Sequence, residues 1–362
     1  MKLATISVLA LVLSICAITS RAHHSFAAEF VPGSSGEVEG IVTRVMFVNP
    51  HVRYRLEATD EAGATQEWEL QLTSVTGLRN SEWYLDTVKV GDTISAQGEV
   101  ARDGSNKLYA RRINVEGGRQ LGGSAGGRSV QALEESNLTY EDYGYGQINP
   151  ERPFDISGAW NNSFRFRVTN DDLEPKPTPF TDQARAMFDA TVHYDDYSLR
   201  CISPGLPRII GAPYTMEIAD AGSHYLVVHE EHNLPRRIYM DGREPPENTQ
   251  PSSLGYSIGH WESDNVLVIE STHLLPGWLD GGGLPMTGND TRIVERWEFA
   301  DDRLSMDRVA TFYDSYYTEP LVRRRGSQRR PGLEVTEMAS CDPQSYYLDL
   351  FENGEIEDRL YR

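Results

Sequence analysis

The sequence predicts an all-β chain in which a small barrel of OB-like strand order precedes a larger antiparallel β-barrel. Three observations carry this. Short segments of alternating apolar and polar residues recur from residue 38 to residue 313, turn-forming residues separate them, and the glycine pairs at 117–118, 122–123 and 126–127 divide them into a group of five and a group of seven. A chain of 362 residues with 39% apolar side chains is long enough for two domains with real cores.

In the first group, Ile41, Thr43, Val45 and Phe47 alternate along a strand that begins near Val38, and Asn49-Pro50 breaks it before His51 opens the next. Val52, Tyr54 and Leu56 then alternate with Arg53 and Arg55, giving one apolar and one polar face. A turn at 60–63 leads into a strand at 66–72. Residues 75–84 lack alternation and read as a short helix. Strands at 92–100 and 108–115 follow, joined by Asp103-Gly104-Ser105-Asn106. Three strands, a helix and two strands is the order of a five-stranded OB-like Greek key. Single-strand nucleic-acid binding is not expected of it, because no basic groove with interleaved aromatics is present.

In the second group, strands are expected at 214–218, 225–232, 236–240, 256–262, 266–271, 292–299 and 304–313, after a helix-compatible stretch at 181–192. Gly281-Gly282-Gly283 lies between strands and is no phosphate loop, and Gly255-Tyr256-Ser257-Ile258-Gly259 continues as a strand, so it is no nucleophile elbow. His229-Glu230-Glu231-His232 reads as strand, in which residues three apart face opposite ways and cannot share a zinc ion.

The formal net charge of -20 argues against nucleic acid as a partner. The one dense basic cluster, Arg323-Arg324-Arg325 with Arg329-Arg330, reads as a solvated loop, with a local anion or partner contact as the alternative. Residues 1–22 combine Lys2, an apolar run at 3–18 and small residues Ser20 and Ala22, the pattern of a secretory signal. The run is short for a retained anchor, and Ile15 stands where lipid attachment at Cys16 would need a small residue. A periplasmic or secreted protein with no stable membrane span after processing is therefore expected. In such a compartment the two remaining cysteines, Cys201 and Cys341, favour a disulfide over two free thiols.

Cleavage after Ala22 would make His23 the first residue. Its amine and ring, with His24 or His51 supplying a second ring, would form a T-shaped set of three nitrogens suited to copper. The set resembles, in residue types, the histidine brace of copper chaperones and lytic polysaccharide monooxygenases. The alternative is a solvated terminus with His51 capping a turn.

Two family resemblances accompany these readings. His23-His24-Ser25-Phe26-Ala27-Ala28-Glu29-Phe30, Val38-Glu39-Gly40, Asn49-Pro50-His51-Val52 and Asp103-Gly104-Ser105-Asn106 resemble an uncharacterised family of small secreted bacterial domains, which implies a secreted OB-like barrel. Cys201-Ile202-Ser203-Pro204-Gly205-Leu206-Pro207-Arg208, Arg237-Ile238-Tyr239-Met240-Asp241-Gly242-Arg243, Gly255 to Glu262, Trp278-Leu279-Asp280 and Val294-Glu295-Arg296 are similar to a second uncharacterised secreted family, which implies a lipocalin-like up-and-down barrel. His260 stands where that family more often carries Arg. The expected organisation is a signal at 1–22, an OB-like domain at 23–120, a flexible linker at 121–155, a lipocalin-like barrel at 156–345 and an acidic tail at 346–362.

Function is expected in the larger barrel, as binding or handling of a small, largely apolar molecule in an aromatic-lined interior. Arg237, Tyr239, Tyr256 and Trp261 are the candidate ligand contacts. The competing class is an isomerase, cyclase or hydrolase in which His260, Asp241 and Glu295 converge as an acid–base set. A structural network of Arg, Asp and Glu closing the barrel ends uses the same residue types. A third class is an interaction module that docks a partner through the acidic tail.

Overall fold

The computed structural model describes residues 29–31, 33–49, 51–59, 63–79, 83–116, 120–122, 139–146, 148–161, 177–191, 195–212, 214–335, 341–352 and 354. The leader, His23, His24 and most of the glycine-rich stretch lie outside the described residues. Among those described, no helix is long and apolar enough to cross a membrane.

The small barrel is built from β1 (Gly36–Met46), β2 (Arg53–Thr59), β3 (Thr65–Gln71), α1 (Val75–Arg79), β4 (Thr93–Val100) and β5 (Lys107–Val115). Antiparallel pairing runs β3-β2-β1-β4-β5, and a parallel contact of β3 with β5, Glu69 to Lys107 through Gln71 to Tyr109, closes the ring. The short strand β6 (Gln120–Gly122) adds to β5. Alternation drives Val42, Leu56, Leu70, Ile94 and Leu108 into one core, where Trp83 donates its indole N–H to the Tyr54 hydroxyl at 2.9 Å. Gly98 marks a bulge between β4 and β5: a Cβ there would stand 1.9 Å from the Tyr109 carbonyl oxygen, so only glycine permits this approach. The helix expected over 75–84 ends at Arg79.

The large barrel closes nine strands: β7 (Gly158–Asn161), β8 (Thr215–Asp220), β9 (His224–His229), β10 (Pro235–Tyr239), β11 (Tyr256–Ser263), β12 (Val266–Thr272), β15 (Arg292–Phe299), β16 (Ser305–Tyr313) and β17 (Leu321–Arg329). A small hairpin of β13 (Gly277–Trp278) and β14 (Pro285–Met286) interrupts the meander. Helices α2 (Asp182–Ala190) and α3 (Arg208–Gly211) precede β8, and α4 (Pro343–Glu352) follows β17. An odd number of strands cannot alternate in direction all round a ring. One neighbouring pair must run parallel, and it is β10 with β11, whose connection spans residues 240–255.

Two of these strands, β7 and β17, depart from the sequence expectation. The Arg323–Arg325 cluster, read as a solvated loop, belongs to β17, which pairs with β16 on one side and β7 on the other. The positions of β17 that pair with the inward residues of β16 are Leu321, Arg323, Arg325 and Ser327, with Arg329 next on the same face, so the inner face is mostly polar and the strand lacks the apolar alternation that marks one in sequence.

That interior is filled. Trp160, Met216, Ile218, Tyr225, Trp297, Phe299 and Met306 pack one end, while Ile209, Ile210, Leu274, Ile293, Phe312 and Leu321 pack the other. Between them lies a belt of Arg236, Ser257, Ser271, Glu295 and Arg308. The aromatic-lined interior cavity expected from sequence is thus replaced by side chains.

The two barrels are tied together. Cys341 is disulfide-bonded to Cys201, with Cα atoms 5.8 Å apart, and forms a β-bridge with Asn49 of the first barrel. On α4, Tyr347 and Leu350 bury against Leu199, and Glu352 pairs with Arg55 at 3.2 Å. The start of the acidic tail therefore docks onto the chain's own first barrel. Likewise, residues 148–155, expected as part of a flexible linker, pack on the large barrel, where Phe154 stacks on Trp261 with ring centroids 4.8 Å apart.

Candidate functional site

The residues singled out in the large barrel do not converge. On β11 the inward positions are Ser257, Gly259 and Trp261, so Tyr256, Ile258 and His260 face outward and His260 is exposed. On β10 the inward positions are Arg236 and Ile238, which puts Arg237 and Tyr239 outside. Asp241 pairs on the surface with Arg243, which holds its carboxyl down at about 2. Outside the barrel, Tyr239 stacks on Tyr256 at 4.9 Å. The expected set of His260, Asp241 and Glu295 is therefore split across the wall. Alternation was read with the right period and the wrong parity, because Ser257 and Arg236, polar residues, occupy the inner face. Of the expected ligand contacts, Trp261 alone turns inward, where it closes the barrel end against Phe154, Phe299 and Arg303.

Glu295 is buried and belongs to the central belt. Arg236 donates from Nη2 to Glu295 Oε1 at 2.6 Å and to Ser271 Oγ at 2.8 Å, and from Nε to Ser257 Oγ at 3.1 Å. Trp297 donates its indole N–H to Glu295 Oε2 at 3.0 Å. His229, at the end of β9, is buried beside this belt, and its Nε2 has no hydrogen-bond partner. Burial first, then the positive charges of Arg236 and Arg308, lower its pKa to about 3.

After His229 the strand stops. The backbone turns left-handed at His232 and Asn233, with φ of 62° and 49°, and this turn brings Glu230, Glu231 and His232 to the wall of a cavity. The strand expected over 225–232 hid this break. The cavity, about 520 Å³, lies at the barrel mouth between the two barrels. The small barrel contributes Asn49, His51 and Ser74. The large barrel contributes Arg208, Arg308 and Arg323–Arg325 together with an apolar wall that includes Ile210, Leu279 and Phe312. Tyr214 donates its hydroxyl proton to Ser74 Oγ at 3.3 Å across the junction.

Charge in the cavity is partly organised. Arg208 grips Asp196 with both arms of its guanidinium, at 2.7 and 2.8 Å, and Arg323 lies 3.6 Å from Asp280. Arg325 donates to the Gly211 carbonyl. Arg308 reaches from the belt to the cavity floor, and burial lowers its pKa to about 10. Burial pushes the Glu231 carboxyl up to about 7, against the pull of Arg208, so this group titrates near neutrality.

His51 is the one metal candidate among the described residues. Its Nδ1 meets the Leu72 carbonyl oxygen at 3.0 Å, which fixes the tautomer with the proton on Nδ1 and the lone pair on Nε2. Burial holds its pKa below the ordinary value and so keeps the ring neutral. Among the described residues no group of three or more His, Cys, Asp and Glu side chains is placed to hold a metal ion.

A family of unknown function (DUF6152) matches residues 11–109, the N-terminal region that includes His51. No curated protein matches the chain.

A histidine whose pKa is lower in the fold than in the unfolded chain contributes stability that is present above about 6.5 and is lost as pH falls toward 3. Between pH 6.5 and 5 the loss from His229 is about 2 kcal/mol. Glu231, whose pKa is raised, acts in the opposite sense over part of this range. The difference in urea stability between wild type and His229→Gln isolates the effect, and the wild type is expected to lose ground relative to the variant as pH falls.

Proposed function

We propose that the protein is exported and holds a small amphiphilic anion in the cavity between its barrels, the acidic end against Arg308 and Arg325 and the apolar body against Ile210, Leu279 and Phe312. The observation that carries this is the joining of one apolar wall to a run of arginines, in a chain whose overall charge is -20. Guanidinium forks suit carboxylate or phosphate oxygens, and a partly desolvated arginine such as Arg308 gains most from a bound anion. The ligand is thus more acidic than the largely apolar molecule expected from sequence. The resemblance to secreted OB-like and lipocalin-like families supports the same reading, since barrels of both kinds bind their ligands at the mouth or on one face. The signal-like residues 1–22 support a periplasmic or secreted site of action.

Calorimetry with decanoate tests the proposal, with decanol as the neutral control. Saturable binding of decanoate is expected, at least tenfold weaker in Arg325→Gln and unchanged in His260→Gln. Affinity is expected to fall as pH rises through about 7, where Glu231 ionises and repels the anion, and Glu231→Gln removes that fall. Equal binding of decanol, or no effect of Arg325→Gln, would contradict the proposal.

Copper association is a separate proposal. A mature terminus at His23 would supply its amine and ring, with His24 or His51 as the further ring, and the Leu72 carbonyl holds the His51 ring in one orientation, as a metal ligand's outer partner does. Intact-mass analysis of exported protein is expected to give a chain beginning at His23. Titration with Cu(II) is expected to show affinity reduced at least tenfold in His51→Ala. A mature chain that starts elsewhere would remove the amine ligand and sink the idea.

A further inference from the structure

The opposite end of the large barrel carries a second cavity, about 390 Å³, lined by Tyr143, Tyr145, Asn149, Ser157, Arg303 and Arg329 among others. Of its three arginines Arg152 is half exposed, while Arg303 and Arg329 are 4% and 5% exposed. Both are engaged by backbone: Arg303 donates from Nη2 to the carbonyls of Asp264 and of Pro153, the latter at 3.3 Å, and Arg329 from Nη2 to the carbonyls of Ser157 at 2.5 Å and Asp155 at 3.4 Å. Three of their nitrogens, Arg303 Nε and Nη1 and Arg329 Nε, are buried without a hydrogen-bond partner among the described residues.

We infer that this cavity is a second oxyanion site, in which Arg303 and Arg329 take a carboxylate or phosphate group between them. Desolvation disfavours the charge on both guanidiniums, and at Arg329 the charge of Arg303 adds to it while Tyr145 and Asp155 act against it. No carboxylate forms a salt bridge with either among the described residues. Asp155, the acidic group in the cavity wall, is shared: it lies 3.1 Å from Arg152 Nη1, accepts from the Ser157 backbone N–H at 2.9 Å, and offsets part of the Arg329 charge without forming a salt bridge to it. A pair of buried like charges is a poor device for closing a barrel end, since apolar side chains would do so without desolvating two cations. It is a good device for gripping an oxyanion, because each planar fork can offer two donors.

The surroundings hold the pair in place for this role. Arg303 sits in the hairpin between β15 and β16 with φ of 56°, a left-handed position that usually falls to Gly or Asn. Its guanidinium is folded back over Trp261 and Phe299, 5.3 and 5.4 Å from their ring centroids. Arg329 is sandwiched between Tyr145 at 4.8 Å and Trp160 at 5.1 Å. Tyr145 is fixed in turn by Gly158, where a Cβ would stand 2.3 Å from its hydroxyl oxygen. A site held by aromatic rings loses little side-chain freedom when an anion enters.

The test uses the full chain carrying Arg325→Gln, which weakens the first cavity, and the response to Arg329→Gln then separates this inference from the proposed function. Inorganic phosphate and acetate are titrated by calorimetry at constant ionic strength. Saturable binding of at least one of them is expected, with one site per chain. Tighter phosphate assigns a phosphate ester and tighter acetate a carboxylate. Arg329→Gln is expected to weaken binding at least tenfold, and Arg303→Lys, which keeps the charge and loses the fork, to weaken it severalfold. Absence of saturable binding, or equal affinity after Arg329→Gln, would overturn the inference. Should either variant fail to fold, arginine-selective ¹⁵N spectra of the parent decide: anion-dependent shifts of the Arg303 and Arg329 Nε–H signals support the site, and unmoved signals refute it.

Discussion

The ion pair between Arg236 and Glu295, 2.6 Å long with both side chains 1% exposed, sets the plan of the large barrel. Its partners come from β10 and β15, which are separated around the wall by β11 and β12, so the pair spans the interior and draws Ser257, Ser271 and Trp297 into one network. A buried pair of this kind contributes little net stability over an apolar filling, but loss of one partner would strand the other charge at a cost of about 3–5 kcal/mol. The belt therefore fixes where polar groups must lie. It also fixes where a ligand cannot lie, because the barrel centre is occupied.

Each side of the belt follows from this. Toward the mouth, Arg308 carries charge from the interior to the cavity floor, and the end of β9 turns through His232 and Asn233 to present Glu231. The opposite wall needs the small barrel, since Asn49, His51 and Ser74 belong to it. The Cys201–Cys341 disulfide, the Asn49–Cys341 bridge and the docking of α4 hold the two barrels against each other around that cavity. Toward the far end, aromatic packing closes the barrel around Arg303 and Arg329.

Much of the fold was legible because alternation survives wherever one strand face is apolar. The five strands around Val42, Leu56 and Leu70, and the parallel closure typical of their order, are of this kind. The Cys201–Cys341 pairing followed from the count of cysteines in a chain expected to be exported. Where the inner face is polar, the same signal misleads. Ser257 and Arg236 inside, with His260 and Tyr239 outside, inverted the assignment of faces. Arg323, Arg325 and Ser327 on the inner face made β17 look like a loop and hid the place of its arginines in the cavity. The cavity itself joins residues from Asn49 to Cys341, and long-range closure of that sort leaves no local spacing to read. His51 was found because it opens a strand after Asn49-Pro50, a local feature.

The central claim is that an oxyanion is held at the barrel junction, and a crystal soaked in selenate tests it most directly through the anomalous scattering of selenium. A peak is expected within hydrogen-bonding distance of Arg308 or Arg325, inside the cavity shared with His51 and Ser74. A well-phased anomalous map without a peak there, or with peaks confined to exposed lysines and arginines elsewhere, would contradict it.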